Sequence, residues 1–266
     1  MEAHVRDVIT QGAGRQACND LNGCAMIDQL VAIGPTAAPA IEAAFTLSRG
    51  DAFWRFRLIE VLGRLGARSS EPFLTSILQH DPDLPARAEA ARALGRGHYQ
   101  HAKTALRALA TTDPLPPNAL LLSVGYALAT LGDPIGLEIL RARLVVPEAK
   151  VDPMPVSPEA ALTQVDMRWD QLRPGIWAAG ELRLTDLRGR LEEIAKRGGP
   201  FVRREAVRAL PKLRERAVIP ALIAALEDPI PGVRKDALDG LRSLTGHRHK
   251  ALAEDWRRWW AAEGKN

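Results

Sequence analysis

Two cysteines, Cys18 and Cys24, stand six positions apart around the turn-prone stretch Asn19-Asp20-Leu21-Asn22-Gly23. That spacing permits a small disulfide loop, which would imply an oxidising compartment, and it equally permits two thiols. No histidine lies close enough in sequence to complete a metal site, and the Cys-x-x-Cys of a redox catalyst is missing. His98 with His101, and His247 with His249, are near neighbours, but neither pair has an adjacent cysteine, so they read as surface residues of loops. The stretch MRWDQLRPGIW gathers Trp169, Asp170, Arg173 and Trp177, aromatic rings beside a carboxylate and positive charge. No Gly-x-Ser-x-Gly, Walker loop or dinucleotide fingerprint occurs, so nucleophilic, nucleotide and hydride chemistry have no recognisable seat. Neither a cofactor, a metal nor a small-molecule substrate is expected.

What would position these residues is a phrase that the chain repeats. Four stretches, from Trp54, Ala86, Val202 and Val233, place an arginine second (Arg55, Arg87, Arg203, Arg234) and a leucine seven residues later (Leu62, Leu94, Leu210, Leu241). A spacing of seven is two helical turns and returns to one face, so the phrase is a helix. A second apolar stretch follows most copies, and a proline stands early in several of these (Pro39, Pro72, Pro134, Pro220). In a first helical turn the missing N–H costs nothing. Weaker copies align on Leu30, Leu128 and Leu182, giving seven helical hairpins mostly 28 to 34 residues apart. One hairpin cannot bury its apolar stripe, but stacked neighbours bury each other's, which predicts an all-α fold, an α-solenoid.

The units resemble HEAT repeats, in the short form often called the phycobilin-lyase-type HEAT-like repeat. DPIPGVRKDALDGL and DPDLPARAEAARAL carry the resemblance: an Asp-Pro closes one unit and an arginine opens the next. The likeness spans roughly residues 24 to 250 and implies a ladder between aspartate and the arginine six positions on, here Asp81 with Arg87 and Asp228 with Arg234. Leu121 and Gly175 replace the arginine before Leu128 and Leu182, so less regular stacking is expected there. HEAT-like arrays include glycosylases acting on alkylated purines, which makes Trp169, Asp170, Arg173 and Trp177 the candidates for that chemistry.

The organisation expected is an N-terminal segment over 1–23, repeats one to four over 24–144, a proline-rich insertion over 145–172, repeats five to seven over 173–250, and a Trp-rich capping helix over 251–266. Four prolines within twelve residues (Pro147, Pro153, Pro155, Pro158) rule out a continuous helix in the insertion. Its end is apolar enough to form a short helix docked on the repeats. Trp256, Trp259 and Trp260, at i, i+3 and i+4, share one helix face that would cover the end of the core.

Charge is uneven: residues 1–182 carry 17 basic and 20 acidic side chains, whereas 183–266 carry 19 and 12. Arg204 and Arg208, four apart, are expected to reach solvent with Lys212. Together with Arg168 and Trp169 they are the candidate partner-binding residues. Acidic side chains are interspersed, and the longer part of the chain is net acidic, so another protein is expected as partner rather than nucleic acid. The alternative is a nucleic-acid-binding or DNA-repair protein using the basic C-terminal third. No run is long and apolar enough for a membrane span. A cytoplasmic location is expected for the chain as it stands. A Cys18–Cys24 disulfide, with a leader removed, would instead place it in the periplasm or outside the cell.

Overall fold

The structure is a computed structural model that describes residues 3, 5, 7–8, 18–19, 23–48, 50–148, 167–248 and 252–263. Its described elements are helical apart from a two-residue antiparallel ladder pairing β1 (Cys18–Asn19) with β2 (Gly23–Cys24). The chain forms two compact blocks, Met1–Ile139 and Leu140–Asn266.

In the first block the hairpins are α1 (Ala25–Ile33) with α2 (Ala38–Leu47), α3 (Ala52–Leu65) with α4 (Glu71–His80), α5 (Leu84–Arg96) with α6 (Lys103–Ala110), and α7 (Asn118–Thr130) with α8 (Pro134–Arg143). Local signals set the boundaries. The Asp51 carboxylate accepts from the N–H of Trp54 at 3.2 Å and caps α3, which ends where Gly66 turns left-handed at φ 60°. Pro39 and Pro72 sit in the first turns of α2 and α4, as expected.

The second block takes in the end of α8, and its next described helix is the short α9 (Met167–Asp170). The pairs α10 (Arg173–Glu181) with α11 (Arg188–Arg197) and α12 (Pro200–Ala209) with α13 (Ile219–Ala225) follow, then α14 (Pro231–Thr245) and α15 (Ala253–Glu263). Trp256 of α15 is fully buried and meets Trp259 edge-on at 5.7 Å. The capping helix packs on α13, where a second helix of the last unit would lie.

First helices of successive units pack side by side: α3 on α5, α5 on α7, α10 on α12, α12 on α14. They approach so closely that a Cβ on Gly63 would lie 2.6 Å from the Ala93 Cα, and one on Gly95 2.7 Å from the Ala127 Cα. In both contacts the residue after one key leucine meets the residue before the next.

The same rule corrects the fifth unit. Gly180 faces Ala209, 3.1 Å from an added Cβ, so Ala179 rather than Leu182 occupies the key position. Ala179 is fully buried, whereas Leu182 follows the last turn of α10 and is half-exposed. Leu172, also buried, then stands where other units carry arginine. Leu30, Leu62, Leu94, Leu128, Leu210 and Leu241 are all fully buried. No single helix among the described residues is long and apolar enough to cross a membrane.

Candidate interaction face on the first helices

Two sets of polar residues emerge from the stacked hairpins, one at the turns and one along the exposed face of the first helices. At the turns between units, Asp81 and Asp228 each tie the turn to the first helix of their own unit, whereas Asp133 does the like within unit four, with an arginine of the preceding unit's second helix. Asp81 accepts from the Asp83 N–H at 3.0 Å and from Arg55. Asp228 accepts from the Ile230 N–H at 2.8 Å, and from Arg203 through Nε at 2.7 Å and Nη2 at 3.1 Å. Asp133, buried, takes the Ile135 N–H at 3.3 Å together with Arg107. The hydrogen bond from Arg107 holds the Asp133 carboxyl below the usual carboxylate range, against the opposing effect of burial.

This register differs from the expected pairing of Asp81 with Arg87 and Asp228 with Arg234. Arg87 donates to the Leu78 carbonyl at 2.9 Å, and Arg234 to the carbonyls of Asp228 at 2.7 Å and Pro229 at 3.0 Å. The physical reason is the turn. Once the aspartate has bound the N–H two residues on, its free oxygen faces the first helix of its own unit. The next arginine instead reaches back to carbonyls at the end of the second helix and its turn, which lack intrahelical partners.

Along the first helices, the positions six, five and two residues before the key residue, and two after it, form a row that is partly exposed in units two, three, six and seven and buried in unit four at Leu122, Ser123 and Tyr126. In the first block they bring together Phe56, Arg57, Glu60, Glu89, Arg92 and Arg96. Glu89 is only 2% exposed; Arg92 Nε donates to it at 2.7 Å, and Arg96 lies 3.5 Å away. Arg57 donates to Glu60 at 3.0 Å. Its guanidinium stacks between Phe53 and Phe56, centroids 5.4 and 5.7 Å away, while Arg92 lies 5.5 Å from Phe56.

The same rows in the second block contain Arg204, Arg208 and Lys212, and here the expectation that Arg204 reaches solvent is corrected. Both arginines donate through Nε to one oxygen of the nearly buried Asp236, each at 2.7 Å, and Arg204 is only 17% exposed. Asp236 stands on α14, opposite both, so the next unit draws Arg204 out of bulk water, while Arg208 keeps 36% of its side chain exposed, and Lys212 44%, as expected. Lys212 pairs with Glu181, and Arg173 with Glu205 at 3.3 Å.

Trp169 is 8% exposed and packs toward Gly198, so it serves the core more than a surface. Arg168 is half-buried on α9. Asp170 lies 3.6 Å from Arg173, which also engages Glu205, so among the described residues the MRWDQLRPGIW stretch forms a short helix and an ion-pair network. Cys18 and Cys24 are Cα partners in the two-residue ladder; their side chains, the rest of the insertion over 149–166 and His249 lie outside the described residues. His101 is exposed, with Nδ1 3.0 Å from Glu71, and the His247 ring lies 4.7 Å from that of Trp259, tilted at 58°. Among the described residues no three histidine, cysteine or carboxylate side chains are placed to hold a metal.

Sequence reasoning missed Glu89, Asp236, Arg57 and Phe56. The signal was available: counting back five and six residues from each key leucine places a charged or aromatic residue outward in units two, three, six and seven.

These features define a class. The family model of HEAT repeats matches residues 44–120 and 165–261, well over half of the chain, and the protein belongs to the HEAT-repeat family. No curated protein sequence matches it. Among solved structures it is similar to the complex of CpcE and CpcF of phycocyanin lyase from Nostoc sp. PCC7120, at 20% identity and a TM-score of 0.45, over 78% of this chain and 76% of that one. It is also similar to human deoxyhypusine hydroxylase in complex with glycerol, at 21% identity and a TM-score of 0.41, over 92% of this chain and 97% of that one. At these identities the likeness concerns the fold alone.

Proposed function

We propose that this protein is a noncatalytic scaffold that presents the outward face of its first helices to another protein. One observation carries the reading. The side chains in these rows are not needed for the apolar core, yet they are fixed by one another into an ordered face of charged and aromatic groups: Glu89 with Arg92 and Arg96, and Asp236 with Arg204 and Arg208. A face ordered before its partner arrives loses less side-chain entropy on binding. Repeat stacks extend such a face in one direction, which suits a macromolecular partner better than a small molecule.

The reading as a nucleic-acid binder fares worse, because the basic residues it needs are engaged with carboxylates. Arg204 and Arg208 share Asp236, and Lys212 pairs with Glu181. A phosphate backbone would have to compete for charges already partnered.

Photo-crosslinking in extracts of the source cell tests the proposal. A benzoylphenylalanine placed singly at Arg96, Arg173 or Lys212 should give crosslinks to the same protein, identified by mass spectrometry. The same group at Gln79 or Lys196, on second helices, should not. Crosslinks confined to the second helices, or to nucleic acid, would contradict it.

A further inference from the structure

We infer that the turns joining first to second helices in units five and six form a docking edge for an extended acidic segment of a protein, with a carboxylate at every third residue; this rests on the scaffold reading above only in taking the partner to be a protein. In each of the seven units one residue of this turn takes the left-handed conformation. It is glycine in four units, His98 in the third, and arginine in the fifth and sixth, Arg183 at φ 52° and Arg214 at φ 58°. That region disfavours any residue with a side chain, so glycine would form both turns more easily. A cation after a helix does suit the partial negative charge of its last carbonyls. The four glycine turns form without one, which leaves the two arginines to be explained by what they meet.

Arg183 and Arg214 are both exposed, and their turns are neighbours, because Glu181 and Lys212, each two residues before one of them, form an ion pair. The carboxylates of this edge are engaged by other cations: Glu181 by Lys212, Glu215 by Arg188 at 3.8 Å, and Asp186 by Arg141 at 2.7 Å. Among the described residues no ion pair reaches Arg183, Arg214 or Arg216. Arg216, exposed two residues beyond Arg214, lies 6.0 and 5.8 Å from the Trp259 and Trp260 rings instead. These three differ from Arg204, Arg208 and Lys212, whose charges carboxylates already meet. Residues 183–266 carry 19 basic and 12 acidic side chains, and an exposed share of that surplus lies along this one edge. Charge complementarity therefore selects an anionic partner.

Spacing selects the kind of anion. Packed helices lie about 8 to 10 Å apart, so arginines on adjacent turns repeat at about that interval. An extended chain in the polyproline II conformation returns a side chain to one face at every third residue, after about 9 Å. A nucleic-acid strand carries a phosphate about every 3.4 Å of helix axis, far denser than this row. Its phosphates would also fall on Glu181 and Glu215, which stand beside the arginines in the chain. Trp259, 9% exposed and flanked by Trp256, His247 and Arg216, leaves little ring face on which a base could stack.

Fluorescence anisotropy on the full chain tests this. The probes are a fluorescein-labelled peptide of four Glu-Pro-Pro repeats, its Lys-Pro-Pro counterpart, an isomer with the four glutamates consecutive, and a twelve-nucleotide single-stranded DNA. The Glu-Pro-Pro peptide should bind more tightly than its isomer, and the basic peptide should not bind. Arg183→Gly together with Arg214→Gly should weaken binding about tenfold, the worth of two exposed charge contacts. The melting temperature of that variant should stay level or rise, because the left-handed turns now carry glycine, an outcome that arginines serving stability alone would not give. Arg214→Gln, which keeps a side chain in the turn, should weaken binding about threefold and holds the test open if the paired variant does not fold. Lys196→Gln on α11 should leave binding unchanged. Absent binding of the Glu-Pro-Pro peptide, equal binding of its isomer, tighter binding of the DNA, or a paired variant that binds as well as the parent would each overturn the inference. If the crosslinks from Arg173 and Lys212 appear while the acidic peptide fails, the scaffold stands and this edge does not. If the peptide binds as expected while crosslinks are confined to the second helices, the edge stands and the first-helix face falls.

Discussion

At the residue scale, an aspartate before a proline does two jobs. Asp228 fixes its turn through the Ile230 N–H and ties the turn to the preceding first helix through both donors of Arg203. Arg203→Ala strands a nearly buried carboxylate and should cost about 3 kcal/mol in urea unfolding. Arg234→Ala loses hydrogen bonds to two carbonyls, with no carboxylate left unpaired, and should cost about 1 kcal/mol. Arg248→Ala, at an exposed position, should change little. The reverse order for Arg203 and Arg234 would restore the pairing that spacing alone predicts.

Asp133 gives a second test. Its folded pKa lies below the unfolded value, so the folded state holds fewer protons through that window. The resulting stability is complete above pH of about 4, the unfolded carboxylate's pKa, and fades as pH falls through the lower folded value. Arg107→Gln removes the largest cause of the shift. It should flatten the acid limb of the stability curve below pH of about 4 while leaving its slope at neutral pH unchanged.

At the scale of elements, close approach between first helices decides the register. Gly63→Val must push against the Ala93 backbone and should destabilise by about 3 kcal/mol. Gly189→Ala on α11, with open space around the new methyl, should stabilise by about 0.5 to 1 kcal/mol through helix propensity. Equal effects in thermal unfolding would contradict the stacking contacts. Trp256→Ala should cost about 3 to 5 kcal/mol, because the fully buried ring fills the end of the second block.

These elements show what could be read beforehand. The leucine seven residues after an arginine marked the buried stripe, and prolines marked the starts of second helices, because both signals are local and periodic. The fifth unit was displaced by three residues, since Ala179 carries no hydrophobic bulk to betray a core position and Leu182 stands just beyond it. The fate of Arg204 and Arg208 was hidden for another reason. Asp236 lies twenty-eight residues beyond Arg208, and only stacking brings it there. Helix periodicity told which residues faced outward from one helix, but not that a neighbouring unit supplied their counterion.

At the scale of the molecule, each block repeats one arrangement: apolar residues between hairpins, Asp-Pro turns along an edge, and mutually fixed charges on the first helices. The central claim is that this last face receives a protein. Hydrogen–deuterium exchange of the full chain, with and without the partner identified by crosslinking, tests it most directly. The account predicts slowed exchange on binding in first helices, foremost α3 and α5, with α4, α6 and α11 unchanged. Protection confined to the second helices, with the first helices exchanging as in the free protein, would contradict it.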